Sequence, residues 1–211
     1  VAGSALVLGI DPGLTRCGVG AVRGPAHRPV LVEARCIRTP VDLPVEQRLA
    51  ELHDQLTAVV AALEPSAVAV ERVLFSGNAR TAMATGQAAG VALLVAAAHG
   101  LAVTSYSPNE VKATVAGDGR AEKAAVARAV AAQLRLDAPP RPVDVTDALA
   151  VAITHLAHAR GAAPALTATP ARMRLDVETA AARRAGRGGW EALAAARAGR
   201  GSSGRRAGDA A

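Results

Sequence analysis

The apolar run Leu6-Val7-Leu8-Gly9-Ile10 closes on a single carboxylate, Asp11, and the chain turns through Pro12-Gly13 before a second apolar run over residues 18–22. A strand without polar alternation is too apolar for a surface position, so the first run belongs inside a sheet. Ala67-Val68-Ala69-Val70 repeats the arrangement and ends in Glu71. An acid at the end of a buried strand either hydrogen-bonds its own turn or is displayed at the sheet edge for chemistry. Which of the two applies depends on whether other acids reach the same place.

A third strand is predicted over residues 30–39. Over 43–63, Leu49, Leu52, Leu56, Val59, Val60 and Leu63 recur at helical spacing, and Pro65 stops the run. A small-residue helix is expected over 79–99, ended by Gly100, and a short fifth strand over 103–106. Ser107-Pro108-Asn109-Glu110 combines an N-cap Ser, Pro at the first helical position and Glu at the third, which starts a helix. Helices over 122–134 and 144–159 complete the body. The pattern is that of an α/β domain, a mixed five-stranded sheet flanked by helices. The first three strands can form a meander, and the fourth, after a helical crossover, can run parallel to the first. Beside it, Asp11 and Glu71 would emerge at neighbouring carboxyl ends, where open α/β sheets bind ligands.

With 211 residues, of which 51% are hydrophobic, the chain has room for one domain with a sizeable core. That core must be Ala, Val and Leu, because Phe75, Tyr106 and Trp190 are the only aromatics. The net charge of +6 is uneven: from Arg160 onward there are 10 Arg or Lys against 4 Asp or Glu, and the preceding residues carry 14 of each. The expected organisation is a folded domain over 1–163 and an Ala/Gly/Arg-rich, mostly disordered basic tail over 164–211. Such a tail suits a polyanion partner, and equally a solvated arm. No apolar run is expected to reach membrane-spanning length, and no signal-peptide layout is apparent. Cys17 and Cys36 lack metal spacing and read as reduced core thiols, so a cytoplasmic protein is expected.

The last predicted helix opens Val143-Asp144-Val145-Thr146-Asp147 and continues apolar nearly all round. Asp144 and Asp147, three apart, share one face of its first turn. They serve as a cap and dipole partner, or as further members of the Asp11–Glu71 group. Four acids cannot share a small volume while ionised unless cations neutralise them. Oxygen ligands without a His or Cys cluster favour Mg²⁺ or Mn²⁺. Two such ions about 3.5–4 Å apart clamp the attacking and leaving oxygens of a phosphodiester.

Gly9-Ile10-Asp11-Pro12-Gly13, Val70-Glu71-Arg72-Val73-Leu74-Phe75 with Asn78, Gly86-Gln87-Ala88-Ala89-Gly90, Ala121-Glu122-Lys123 and the stretch from Asp144 to His155 occur in this order. In that order and at those separations the chain resembles RuvC-type Holliday junction resolvases over about residues 5–160. The resemblance implies a ribonuclease H-like fold and a homodimer. It also implies Mg²⁺-dependent endodeoxyribonuclease activity on four-way DNA junctions in recombination and repair, with two ions per site and Mn²⁺ as substitute. It places a catalytic, metal-binding tetrad on Asp11, Glu71, Asp144 and Asp147, and implies the branch-migration proteins RuvA and RuvB as partners.

Lys112 and Lys123, the only lysines, match family positions implicated in DNA contact and catalysis. Arg72, Arg80 and Arg120 are weaker candidates for phosphate contacts. The family usually carries Phe three residues after the strand-end Glu, as a wedge stacking on a junction base. Here Leu74 holds that position and Phe75 follows, so either Phe75 takes the role or the wedge is aliphatic. Gly86 and Gly90, with Ala82, Ala88 and Ala89, give the small-residue helix a surface for close approach. It serves packing on its own sheet or, as the resemblance implies, a two-fold dimer.

Three rival readings compete. Asp-Pro-Gly-x-Thr also resembles the phosphate-binding opening of actin-like ATPases and sugar kinases, but the body is too short for their second domain. A non-catalytic DNA-binding protein using the basic tail leaves the acids unexplained, since carboxylates repel phosphate unless metal is present. Another ribonuclease H-like nuclease, acting on RNA–DNA hybrids or flaps, is separated only by the five-part resemblance.

Overall fold

The computed structural model describes residues 5–73 and 79–159. Leu74, Phe75 and the tail over 164–211 lie outside the described residues. The order of elements is β1 (Leu6–Asp11), β2 (Arg16–Arg23), β3 (Val30–Arg38), α1 (Val45–Leu63), β4 (Ala67–Glu71), α2 (Ala79–Ala98), β5 (Ala102–Tyr106), α3 (Pro108–Ala116), α4 (Lys123–Leu134) and α5 (Val143–His158). The sheet runs β3-β2-β1-β4-β5. The meander of β1, β2 and β3 is antiparallel, and β4 lies parallel to both β1 and β5. This is the mixed five-stranded, ribonuclease H-like sheet that the sequence leads one to expect.

Two cores form because the central strands are apolar on both faces. Leu8 and Ile10 of β1 and Val68 and Val70 of β4 pack with α1 and α2 residues such as Leu52, Leu56, Ala88 and Val95. Val7 and Ala69 face the other way, onto Val111, Val130, Leu149 and Ile153 of α3, α4 and α5. The two-residue period of a strand assigns these faces. On the second face, Gly9, Gly18 and Gly20 leave bare backbone under α5. A Cβ at Gly9 would stand 2.9 Å from Ala152 Cβ, one at Gly18 3.3 Å from Ala148 Cβ, and one at Gly20 2.7 Å from Leu149 Cδ2. The glycines therefore let α5 settle directly onto β1 and β2.

The capping box at the start of α3 forms in full: Ser107 Oγ accepts from the Glu110 backbone N–H, and the Glu110 carboxylate accepts from the Ser107 N–H at 2.7 Å. Tyr106 at the end of β5 reaches His155 Nδ1 at 3.1 Å, tying β5 to α5.

For α2 one expectation requires correction, and one of two open readings is removed. With 20 residues and a mean hydropathy of 1.5, it is long and apolar enough, by length and composition alone, to cross a membrane. Its Ala, Val, Leu and Gly content produces this value, and Ala88, Ala92, Val95 and Ala96 pack it onto the core. Second, Gly86 and Gly90 do not pack on the sheet, because a Cβ at either would meet nothing within 4 Å. They lie on an exposed stripe with Met83, Leu93 and Leu94.

Candidate active site

The last paired residues of the parallel strands β1 and β4 are Ile10 and Val70, so Asp11 and Glu71 follow side by side at two adjacent strand ends. Alternation from Val7 and Gly9, and from Ala69, turns both acids to the α5 face of the sheet. The seating of α5 on the glycines brings its first turn, with Asp144 and Asp147, to the same edge. All four acids line one cavity of about 620 Å³, together with Arg16, Lys112 and Lys123.

Electrostatics follows from this crowding. Burial pushes the Asp11 carboxyl up to about 8, reinforced by the charge and hydrogen bond of Glu71 and by the charges of Asp147 and Asp144. The same hydrogen bond acts downward on Glu71, which fits Asp11 as the protonated donor and Glu71 as the acceptor. Glu71 is still raised, because burial outweighs that bond and the nearby Lys123 and Lys112. Burial also raises Asp147, against the pull of Lys123. Each α5 acid has its own cation: Arg16 Nη2 is paired with Asp144, and Lys123 Nζ lies 3.4 Å from Asp147.

Among the described residues, no three acid, His or Cys side chains converge as a ready-made metal cage. The donor set nevertheless suits a hard divalent ion, since four carboxylates share the cavity with no His or Cys in its lining. Arg16 and Lys123 offset part of the negative charge of Asp144 and Asp147.

Residues 7–155 match the family model described as Crossover junction endodeoxyribonuclease RuvC. The chain belongs to the RuvC family. Curated RuvC relatives include that of Nocardioides sp., 51% identical over 151 residues, spanning 71% of this chain and 85% of that protein. The Salinispora arenicola RuvC is 52% identical over 151 residues, spanning 71% of this chain and 86% of its own. A solved structure of T. thermophilus RuvC in complex with Holliday junction substrate superposes with a TM-score of 0.72 at 37% identity. It covers 74% of this chain and 96% of that one.

The fold thus brings together Asp11, Glu71, Asp144, Asp147, Lys112 and Lys123. Arg72 stands just past β4 and donates to the Ser105 carbonyl at 3.2 Å, Arg80 lies in the first turn of α2, and Arg120 in the α3–α4 turn bonds Asp118 through its backbone. These three arginines do not line this cavity. Phe75 and Leu74 fall outside the described residues. Sequence reading missed Arg16. The only local signal was a cation opening the strand that returns from the Asp11 turn.

Proposed function

We propose that this chain is a structure-selective endodeoxyribonuclease that resolves four-way (Holliday) DNA junctions by paired, symmetric, metal-dependent phosphodiester hydrolysis in recombination and repair. The observation that carries the reading is the single cavity lined by four carboxylates and flanked by two lysines, in a member of the RuvC family. Asp11, Glu71, Asp144 and Asp147 would hold two Mg²⁺, with Mn²⁺ as substitute. When bound, the ions supply Lewis acidity and a lowered pKa for the attacking water.

The chain's own groups prepare for this chemistry. Asp11 and Glu71 would both have to be deprotonated to serve as ligands, so metal binding at the two strand ends would compete with protons. Arg16 and Lys123, now paired with Asp144 and Asp147, would then be available to phosphate oxygens. Lys112 and Lys123 line the same cavity, where their charge would offset the charge that develops on the phosphoryl group.

Symmetric cutting needs two such sites. The exposed stripe of α2, with Met83 at 67% and Leu94 at 60% exposure around Gly86 and Gly90, supports a homodimer about a two-fold axis. We further infer partnership with RuvA and RuvB and a cytoplasmic location, which the free thiols of Cys17 and Cys36 suit. The basic tail is assigned a supporting role on DNA, and the wedge to Phe75 or Leu74.

The decisive experiment incubates the protein with Mg²⁺ or EDTA on a labelled four-way junction, a plain duplex and an RNA–DNA hybrid. Paired incisions in the junction alone, with Mg²⁺ alone, are expected. Cutting of the hybrid in preference would move the assignment to another ribonuclease H-like nuclease.

A further inference from the structure

A second cavity, of about 900 Å³, adjoins the acid cavity, and the two share Arg16, Lys123, Val143 and Asp147 in their walls. Away from the acids its rim carries Arg38 at the end of β3, Arg128 on α4 and Arg141 in the loop before α5. Among the described residues none of these three has a carboxylate partner. Pro139, Pro140 and Pro142 form an apolar wall. That wall is fixed: Thr146 Oγ1 donates to the Pro140 carbonyl at 2.7 Å, and the Val145 N–H to the Pro142 carbonyl at 3.0 Å.

Three guanidinium groups without a carboxylate partner of their own, beside an apolar wall, match a nucleic-acid strand, with phosphates at the rim and sugar edges on the prolines. The volume is at the upper end for a small-molecule site, and the groove is continuous with the acid cavity, which favours a chain over a free anion. We propose that this groove holds the nucleotides on one side of the scissile phosphate, with Arg38, Arg128 and Arg141 each engaging the backbone. The inference rests on the nuclease reading and adds to it the path of the cleaved strand.

The test uses the full-length protein with Arg38, Arg128 and Arg141 all changed to Gln, and a companion with all three changed to Lys. Thermal melting checks that both fold. Junction binding in EDTA is measured across a salt series. The Gln variant should bind at least ~10-fold more weakly, with a log–log salt slope smaller by about 0.7–0.9 for each phosphate no longer engaged, and the Lys variant should recover most of the slope. In addition, methylphosphonates placed on one side of the cleavage site should weaken wild type and leave the Gln variant indifferent. An unchanged slope together with equal responses to the neutral phosphates overturns the groove, and a groove reserved for an acidic protein segment would give that result. If wild type itself neither prefers nor cuts the junction, the nuclease reading fails instead.

Discussion

Asp11 carries the opposing demands of the site in one carboxyl group. It is half-buried among three other acids, which pushes its carboxyl up to about 8. In the unfolded chain it loses its proton near the ordinary aspartate value of 3.8. The folded state therefore binds more protons between those limits. The associated stability is full below the unfolded value and is lost as pH rises through about 8. In EDTA the melting temperature should fall from pH 6 to pH 9, and Mg²⁺ should restore more of it at pH 9, since the ion replaces the proton. Calorimetry at both pH values checks this, and Asp11→Asn should flatten the difference. A melting curve that responds to pH identically with and without Mg²⁺ would count against metal at these acids. For the chemistry, Asp11→Asn, Glu71→Gln, Asp144→Asn and Asp147→Asn should each lower junction cleavage by about 10²-fold or more. Junction binding should stay largely intact, because ligands for metal do not grip DNA; parallel loss of both in folded variants would contradict this. The four acids were legible in the sequence because each ends or begins an element whose apolar pattern fixes its position. Arg16 was not, since its partner lies 128 residues away and no local pattern encodes that distance.

At the scale of elements, α5 and α2 present opposite cases. The seat of α5 on the sheet is made by absence, at Gly9, Gly18 and Gly20. Gly18→Ala should push the start of α5 off β2, cost about 1–3 kcal/mol of stability by overpacking, and lower cleavage more than binding. Denaturant unfolding and a cleavage assay on one preparation separate the two effects, and an unshifted midpoint would show the seat to be looser than described. The apolar continuation of Asp147 announced α5 as a buried helix, yet the glycines beneath it read in the sequence only as strand residues. For α2 the difficulty is reversed. Ala and Gly occur all round the helix, so no contrast marks which side faces the sheet, and only the fold distinguishes Ala88 from Gly86. Leu94→Asp should shift the protein from dimer to monomer in sedimentation, because a charge would then lie in the stripe. An unchanged dimer would place the two-fold interface elsewhere. The capping box at Ser107 was fully legible, because cap, proline and acid are all local.

For the whole molecule, specificity should come from junction shape. Two sites at a fixed separation gain effective concentration only from DNA that offers two strands at once. Four-way DNA should therefore outcompete duplex of the same sequence at physiological salt, and equal competition would undo the resolvase assignment. Phe75→Ala, with Leu74→Ala as control, should loosen site choice without erasing that preference. Another consequence comes from the order in which the acids appear along the chain. Asp11 belongs to the first strand and Asp144 and Asp147 to the last described helix, with Glu71 midway. A ribosome must therefore release nearly the entire body before the four can meet. A chain that ends before Asp144 lacks two of the four acids, so under the proposed function it should not cut DNA.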